Sequence, residues 1–169
     1  MAARVARESG VPWVLDPVFA DRSGMRRREA VRLLAEAPTL TRGNGAEISA
    51  LADALSGQDG LIARTGVVDL VAHGPRVLTL EGGHPYLARV TAVGCALSAV
   101  LAAFLAVSRD DPFRGVVSGL AAFAAAGAIA GKRAAGPGSF AVHLLDALAG
   151  LTADEIAEHV MLPDEAGPR

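Results

Sequence analysis

An α/β layered domain, with a mainly parallel sheet flanked by helices, is the fold this sequence predicts. Three observations carry that expectation. Short apolar runs alternate with amphipathic helical stretches through the first half of the chain, the order that gives parallel strands joined by covering helices. The second half is Ala-rich with sustained helical periodicity. The 169 residues are 51% hydrophobic and 20% charged, enough for one compact core.

The opening reads as a helix end. Residues 11–16 form a short apolar strand with Pro12 confined to its beginning, closed by Asp16 and broken by Pro17. Residues 25–37 place Ala30, Val31, Leu33, Leu34 and Ala37 on one helical stripe. A strand over 38–42 precedes a turn at Gly43-Asn44-Gly45, and a helix over 46–55 is closed by Gly57. Runs at 61–65 and 67–72 read as strands. Residues 76–80 fold back on the second of these through a turn at His73-Gly74-Pro75. A loop at 81–85 leads to helices over 95–107, 112–133, 140–148 and 153–161. Ser139 is the expected N-cap of the third, and Thr152 and Glu155 have capping-box spacing at the last. No repeat or linker divides the chain, so residues 1–169 read as a single domain.

Composition narrows the function classes. A net charge of −2 from 16 basic and 18 acidic residues argues against a nucleic-acid-binding face. Cys95 is the lone cysteine, which excludes an internal disulfide and a multi-cysteine metal site. Residues 1–10 carry three charges and no apolar core of a secretory signal, so a cytoplasmic protein is expected. The uncharged run of 18 residues at 90–107 and a second at 115–131 raise a transmembrane hairpin, with Gly115/Gly119 and Gly127/Gly131 spaced for helix packing in lipid. Both runs are dominated by weakly apolar Ala and Gly and lack an aromatic belt. Buried core helices, and no membrane partner, are therefore expected.

In α/β sheets ligands sit beyond the carboxyl ends of the strands. That rule selects Asp16, then Arg42 with Glu47, then Thr65, and the turn from Thr91 through Ala92 and Gly94 to Cys95. A Gly-containing turn that opens a helix aims free N–H groups at one point and suits a phosphate. A cysteine in such a first turn is either a reactive thiolate or a small buried hydrophobe. Asp16 and Glu47 either share a hard cation with phosphate oxygens or serve a turn and a helix start. Arg42 pairs a phosphate or is one more solvated arginine. Gly127 to Arg133 matches a phosphate-binding loop only superficially, because Arg133 stands where Ser or Thr is needed. His73, His84, His143 and His159 have no zinc-type spacing.

Taken in order, several of these segments resemble the hydroxyethylthiazole kinase family, ribokinase-like small-molecule kinases of thiamine salvage. They are Pro12-Trp-Val-Leu-Asp-Pro-Val18, Pro38-Thr-Leu-Thr-Arg-Gly-Asn44 with Ala46-Glu47-Ile48, Thr65-Gly-Val-Val-Asp69, Gly83-His-Pro85, the run from Val90 to Ala103, and Gly136-Pro-Gly-Ser-Phe140 with Leu145-Asp-Ala147. The resemblance implies transfer of the ATP γ-phosphate to the hydroxyl of 4-methyl-5-(2-hydroxyethyl)thiazole. It assigns Mg²⁺ to Asp16 and Glu47, nucleotide phosphates to Arg42 and Thr65, and the transferring phosphoryl group to the turn containing Thr91 and Gly94. Ala92 matches a substrate-contacting position, and Cys95 stands where related sugar kinases carry an Asp base. A homotrimer with active sites between subunits is the assembly the resemblance implies.

Three departures from the family pattern stand out. Ala92 replaces a glycine, so its methyl group alters the fit unless its φ is negative. Asp16-Pro17-Val18 continues as Phe-Ala-Asp-Arg-Ser, where the family has a small Gly-rich loop. A portion ahead of the Trp13 strand, and a long helix between Leu55 and Leu61, are expected to be missing relative to the family. The alternative reading is a non-catalytic remnant that binds a nucleotide or a partner chain.

Overall fold

A computed structural model describes residues 1–160. Its elements in chain order are α1 (Ala2–Glu8), β1 (Val14–Leu15), α2 (Gly24–Leu34), β2 (Leu40–Asn44), α3 (Gly45–Ala50), α4 (Ala52–Leu55), β3 (Leu61–Thr65), β4 (Val68–His73) and β5 (Arg76–Glu81). A 3₁₀ turn (Pro85–Ala88) then leads to α5 (Val93–Val107), α6 (Pro112–Arg133), α7 (Pro137–Gly150) and α8 (Ala153–His159). The expected last helix ran to Met161, which lies outside the described residues.

The five strands lie in chain order, β1 to β5. β1, β2 and β3 are parallel, with Leu40 opposite Val14 and Leu61. β3–β4 and β4–β5 are antiparallel, with Val71 opposite both Ala63 and Leu78. The sheet is thus mixed, where the sequence suggested a mainly parallel one. The tight turns at 66–67 and 74–75 are too short for a crossover, which parallel pairing requires.

Two apolar clusters cover the sheet. Leu15, Ala20, Ala30, Leu34, Leu51 and Leu55 form the smaller, beneath α2 and α4. The larger joins alternate residues of β3, β4 and β5 to α5–α8. Its centre is α6, whose Val116, Leu120, Ala125 and Ala126 are almost completely buried. Each fully buried Leu, Val or Phe contributes roughly 1.5–3 kcal/mol. α6 is long and apolar enough to cross a bilayer, but most of it is buried within the fold, and α5 has only 15 residues. The glycines noted for lipid packing serve this core. A Cβ on Gly119 would lie 2.9 Å from Leu101 on α5, and one on Gly131 would overlap the His84 ring.

Local differences from the sequence reading have physical causes. Gly43 and Asn44 continue β2 opposite Arg64 and Thr65, so the turn expected there does not form. Gly43 is needed for close approach: a Cβ there would sit 3.1 Å from Glu47 Cβ. The helix over 46–55 is interrupted at Leu51, whose backbone leaves helical geometry while its side chain is buried. α7 begins at Pro137, so Ser139 sits in the first turn, and its Oγ accepts the N–H groups of Ala135 and Gly136.

Candidate active site

The carboxyl ends of β1, β2 and β3 converge on Arg42. This residue lies on β2 and is only 9% exposed. Its Nη2 donates to Thr65 Oγ1 at 2.8 Å. Its Nη1 donates to Asp16 Oδ2 at 3.4 Å and to the carbonyl of Gly94 at 3.3 Å. The buried Arg42 Nε has no hydrogen-bond partner among the described residues. One guanidinium therefore joins the ends of three parallel strands to the start of α5.

Glu47 is placed by a capping box. Its Oε2 accepts from Asn44 N–H at 2.9 Å while Asn44 Oδ1 accepts from Glu47 N–H at 3.0 Å, the reciprocal satisfaction of two helix-start donors. Glu47 Oε1 accepts from Phe19 N–H at 2.9 Å, which ties down the loop that follows Asp16. Both Glu47 oxygens are thus engaged by backbone.

The turn before α5 presents donors. No side chain caps this 15-residue helix, so the first-turn N–H groups lack intrahelical acceptors and carry the positive end of the dipole. Gly94 lies in this turn and half-buried; Thr91, Ala92 and Cys95 are exposed. The exposed thiol excludes the buried-hydrophobe reading of Cys95 within this chain.

Ala92 is the N-cap of α5 with φ of +67°, the left-handed region, so its methyl does not have the negative φ that would accommodate it. That geometry costs an L-residue roughly 1–2 kcal/mol. Ala92→Gly should accordingly stabilise the chain by about 1 kcal/mol, a rise of about 2–4 °C in melting temperature. An unchanged or lower Tm would contradict the strain.

Arg42, Thr65 and Gly94 also line a cleft of ≈ 700 Å³, together with Asn44, His84 and Phe123. The wall at 82–85 is held by aromatic contacts: the His84 ring stacks on Phe140 at 5.6 Å and meets the edge of Tyr86 at 4.7 Å. A smaller cleft of ≈ 330 Å³, at the opposite ends of the strands near Pro38 and His73, gathers none of the residues selected from the sequence.

Asp69 also lines the large cleft, and sequence reasoning passed over it as a candidate. Its Oδ1 accepts from Gly66 N–H at 2.9 Å and pins the β3–β4 turn. Burial pushes its carboxyl above the usual carboxylate range, opposed by the Gly66 N–H and the charge of Arg42. A raised folded-state pKa contributes stability that is fully present below the unfolded pKa and is lost as pH rises through the folded value. Asp69→Asn retains an oxygen that can accept from Gly66 and removes this dependence. Lowering pH from about 7 towards about 4 should therefore shift the Tm difference in favour of the parent chain. A pH-independent difference would contradict the burial effect.

For a divalent cation the donor set is oxygen only. Among the described residues nothing bonds Asp16 Oδ1, and no group of three or more His, Cys, Asp or Glu side chains forms a protein-only cage. One free carboxylate oxygen near an uncapped helix start fits Mg²⁺, which takes one or two carboxylates and completes its shell with phosphate oxygens and water.

Comparison with known proteins shows the family and the fold. The sequence profile of the hydroxyethylthiazole kinase family matches residues 1–62 and 56–154. The two stretches overlap at the short α4–β3 connection, where the sequence reading expects a missing helix. A hydroxyethylthiazole kinase of Rhizobium rhizogenes is 40% identical, covering 89% of this chain and 65% of its own length. One from Nitratidesulfovibrio vulgaris is 40% identical over 95% of this chain and 68% of its own length. The solved hydroxyethylthiazole kinase of Pyrococcus horikoshii superposes with a TM-score of 0.91 at 34% identity, covering 96% of this chain and 68% of that one. This chain thus spans about two thirds of the length of these relatives. With one fold and a family profile that matches both halves of the sequence, the chain belongs to the hydroxyethylthiazole kinase family.

Proposed function

We propose that this chain transfers the γ-phosphoryl group of ATP to the hydroxyl of 4-methyl-5-(2-hydroxyethyl)thiazole. The observation that carries the proposal is the uncapped start of α5 facing the same cleft as a buried, strand-anchored Arg42. Phosphoryl transfer asks for positioning and charge neutralisation more than covalent chemistry, and those are the properties this site has.

Arg42 and Thr65 orient the nucleotide phosphates. The N–H groups of the turn around Thr91 and Gly94 receive the transferring group, and Ala92 contacts the thiazole. The alcohol oxygen attacks the γ-phosphorus, the bond to the bridging β-phosphate oxygen breaks, and ADP departs. Cys95 Sγ accepts the proton of the attacking hydroxyl. Bound Mg²⁺ neutralises phosphate charge; Asp16 would hold it directly and Glu47 would support its water shell.

The exposure of Thr91, Ala92 and Cys95 leaves space for a neighbouring copy to complete the thiazole side of each site, and the homotrimer follows from the family resemblance. A cytoplasmic location, where ATP is supplied, belongs to the same reading. ADP release should require both the thiazole alcohol and Mg²⁺. Release of ADP without the alcohol would identify an ATPase. No release from a folded chain that still binds ATP would favour the non-catalytic remnant.

A further inference from the structure

Ser98 lies one turn beyond Gly94 on α5 and is half-buried. A serine inside a helix commonly turns its hydroxyl back to a carbonyl one turn earlier. Ser98 Oγ instead donates across the fold to Asp16 Oδ2 at 2.9 Å, between residues 82 apart in sequence. The same oxygen receives Arg42 Nη1 at 3.4 Å, and that nitrogen also reaches the carbonyl of Gly94 at 3.3 Å. Ser98, Asp16, Arg42 and Gly94 therefore close a ring that begins and ends on the first two turns of α5.

We propose that Ser98 is a positioning residue for the divalent-cation site: its hydroxyl holds Asp16 Oδ2 to α5 and keeps Oδ1 directed away from Arg42. The physical reason is competition. Arginine binds carboxylates best through both oxygens at once, and a freely rotating Asp16 would offer both to Arg42. A neutral donor on Oδ2 blocks that rotation without removing the negative charge that a cation needs. The inference rests on the reading of Asp16 as the metal carboxylate.

Mn²⁺ provides the probe. Free Mn²⁺ is titrated by electron paramagnetic resonance in the presence of a non-hydrolysable ATP analogue, with the parent chain and with Ser98→Ala, Ser98→Thr, Ser98→Val and Asp16→Asn. Loss of the partner that orients a metal ligand typically weakens metal binding by about 10–100-fold, so Ser98→Ala should bind Mn²⁺ about 10-fold more weakly. Ser98→Thr should stay within about twofold of the parent, because it keeps the donor. Ser98→Val has the shape of Ser98→Thr without the hydroxyl; it should follow Ser98→Ala and decides the matter if Ser98→Ala does not fold.

Parent-like Mn²⁺ binding by Ser98→Val, with binding lost in Asp16→Asn, would overturn the role of Ser98 and leave the Asp16 reading standing. Parent-like binding by Asp16→Asn would overturn the Asp16 reading, and the role of Ser98 with it.

Discussion

Arg42→Ala is expected to weaken ATP binding by about 100-fold, the equivalent of about 3 kcal/mol. Charge-assisted hydrogen bonds contribute roughly 1.5–3 kcal/mol each, and a guanidinium at a phosphate site supplies at least two. Arg42 is held for that task by Thr65 on β3 and Gly94 on α5, while its Nε has no partner among the described residues. Arg42→Lys keeps the charge but loses the planar fork, so it should recover only about one decade of that loss. Calorimetric titration of folded protein separates this effect from stability. The variant also frees Asp16 from its ion pair, so a modest fall in Tm accompanies it. ATP affinity unchanged in folded Arg42→Ala would remove Arg42 from the nucleotide site.

Cys95→Ala should lower kcat by about 100-fold, the low end for loss of a proton acceptor, with ATP affinity within about twofold of the parent. The asymmetry follows from where the interaction acts. A group that accepts a proton only as the new bond forms changes the transition state and leaves the bound nucleotide unaffected. Cys95 is exposed on the first turn of α5, so truncating it opens no cavity and should leave the Tm near that of the parent. Equal kcat in the two proteins would remove the thiol from the mechanism.

The parts of the fold legible in the sequence were those set by local pattern. The parallel strands β1–β3, the hairpin of β4 and β5 and the four helices of the second half all follow from alternation, helical stripes and punctuation by Gly and Pro. Where long-range contact decides, pattern failed. Gly43-Asn44-Gly45 has turn composition, yet pairing with β3 extends it as strand, and the tight approach of Glu47 explains the glycine. Leu51 breaks an apparently continuous helix because burial of its side chain outweighs local propensity.

The site divides in the same way. The strand-end rule found Asp16, Arg42 and Thr65, which the structure brings into direct contact through one guanidinium. It found Glu47 as well, although both of its oxygens are taken by backbone donors. Ser98 and Asp69 were not selected as site residues. Ser98 belongs to a helical apolar run, and its partner is 82 residues away. Asp69 reads as an ordinary polar residue in a hairpin until the cleft is closed by the 82–85 loop. The positive φ of Ala92 had a signal, since the family resemblance implies a glycine at that position.

Whether this chain is a kinase is decided by mass-spectrometric detection of the phosphorylated thiazole. It should be formed from γ-¹⁸O-labelled ATP by purified protein of known oligomeric mass, with Cys95→Ala and Arg42→Ala run in parallel. The parent chain should yield a labelled thiazole phosphate, formed one for one with ADP and strongly reduced in both variants. A folded, ATP-binding parent chain that yields no labelled thiazole phosphate would contradict the proposed kinase activity.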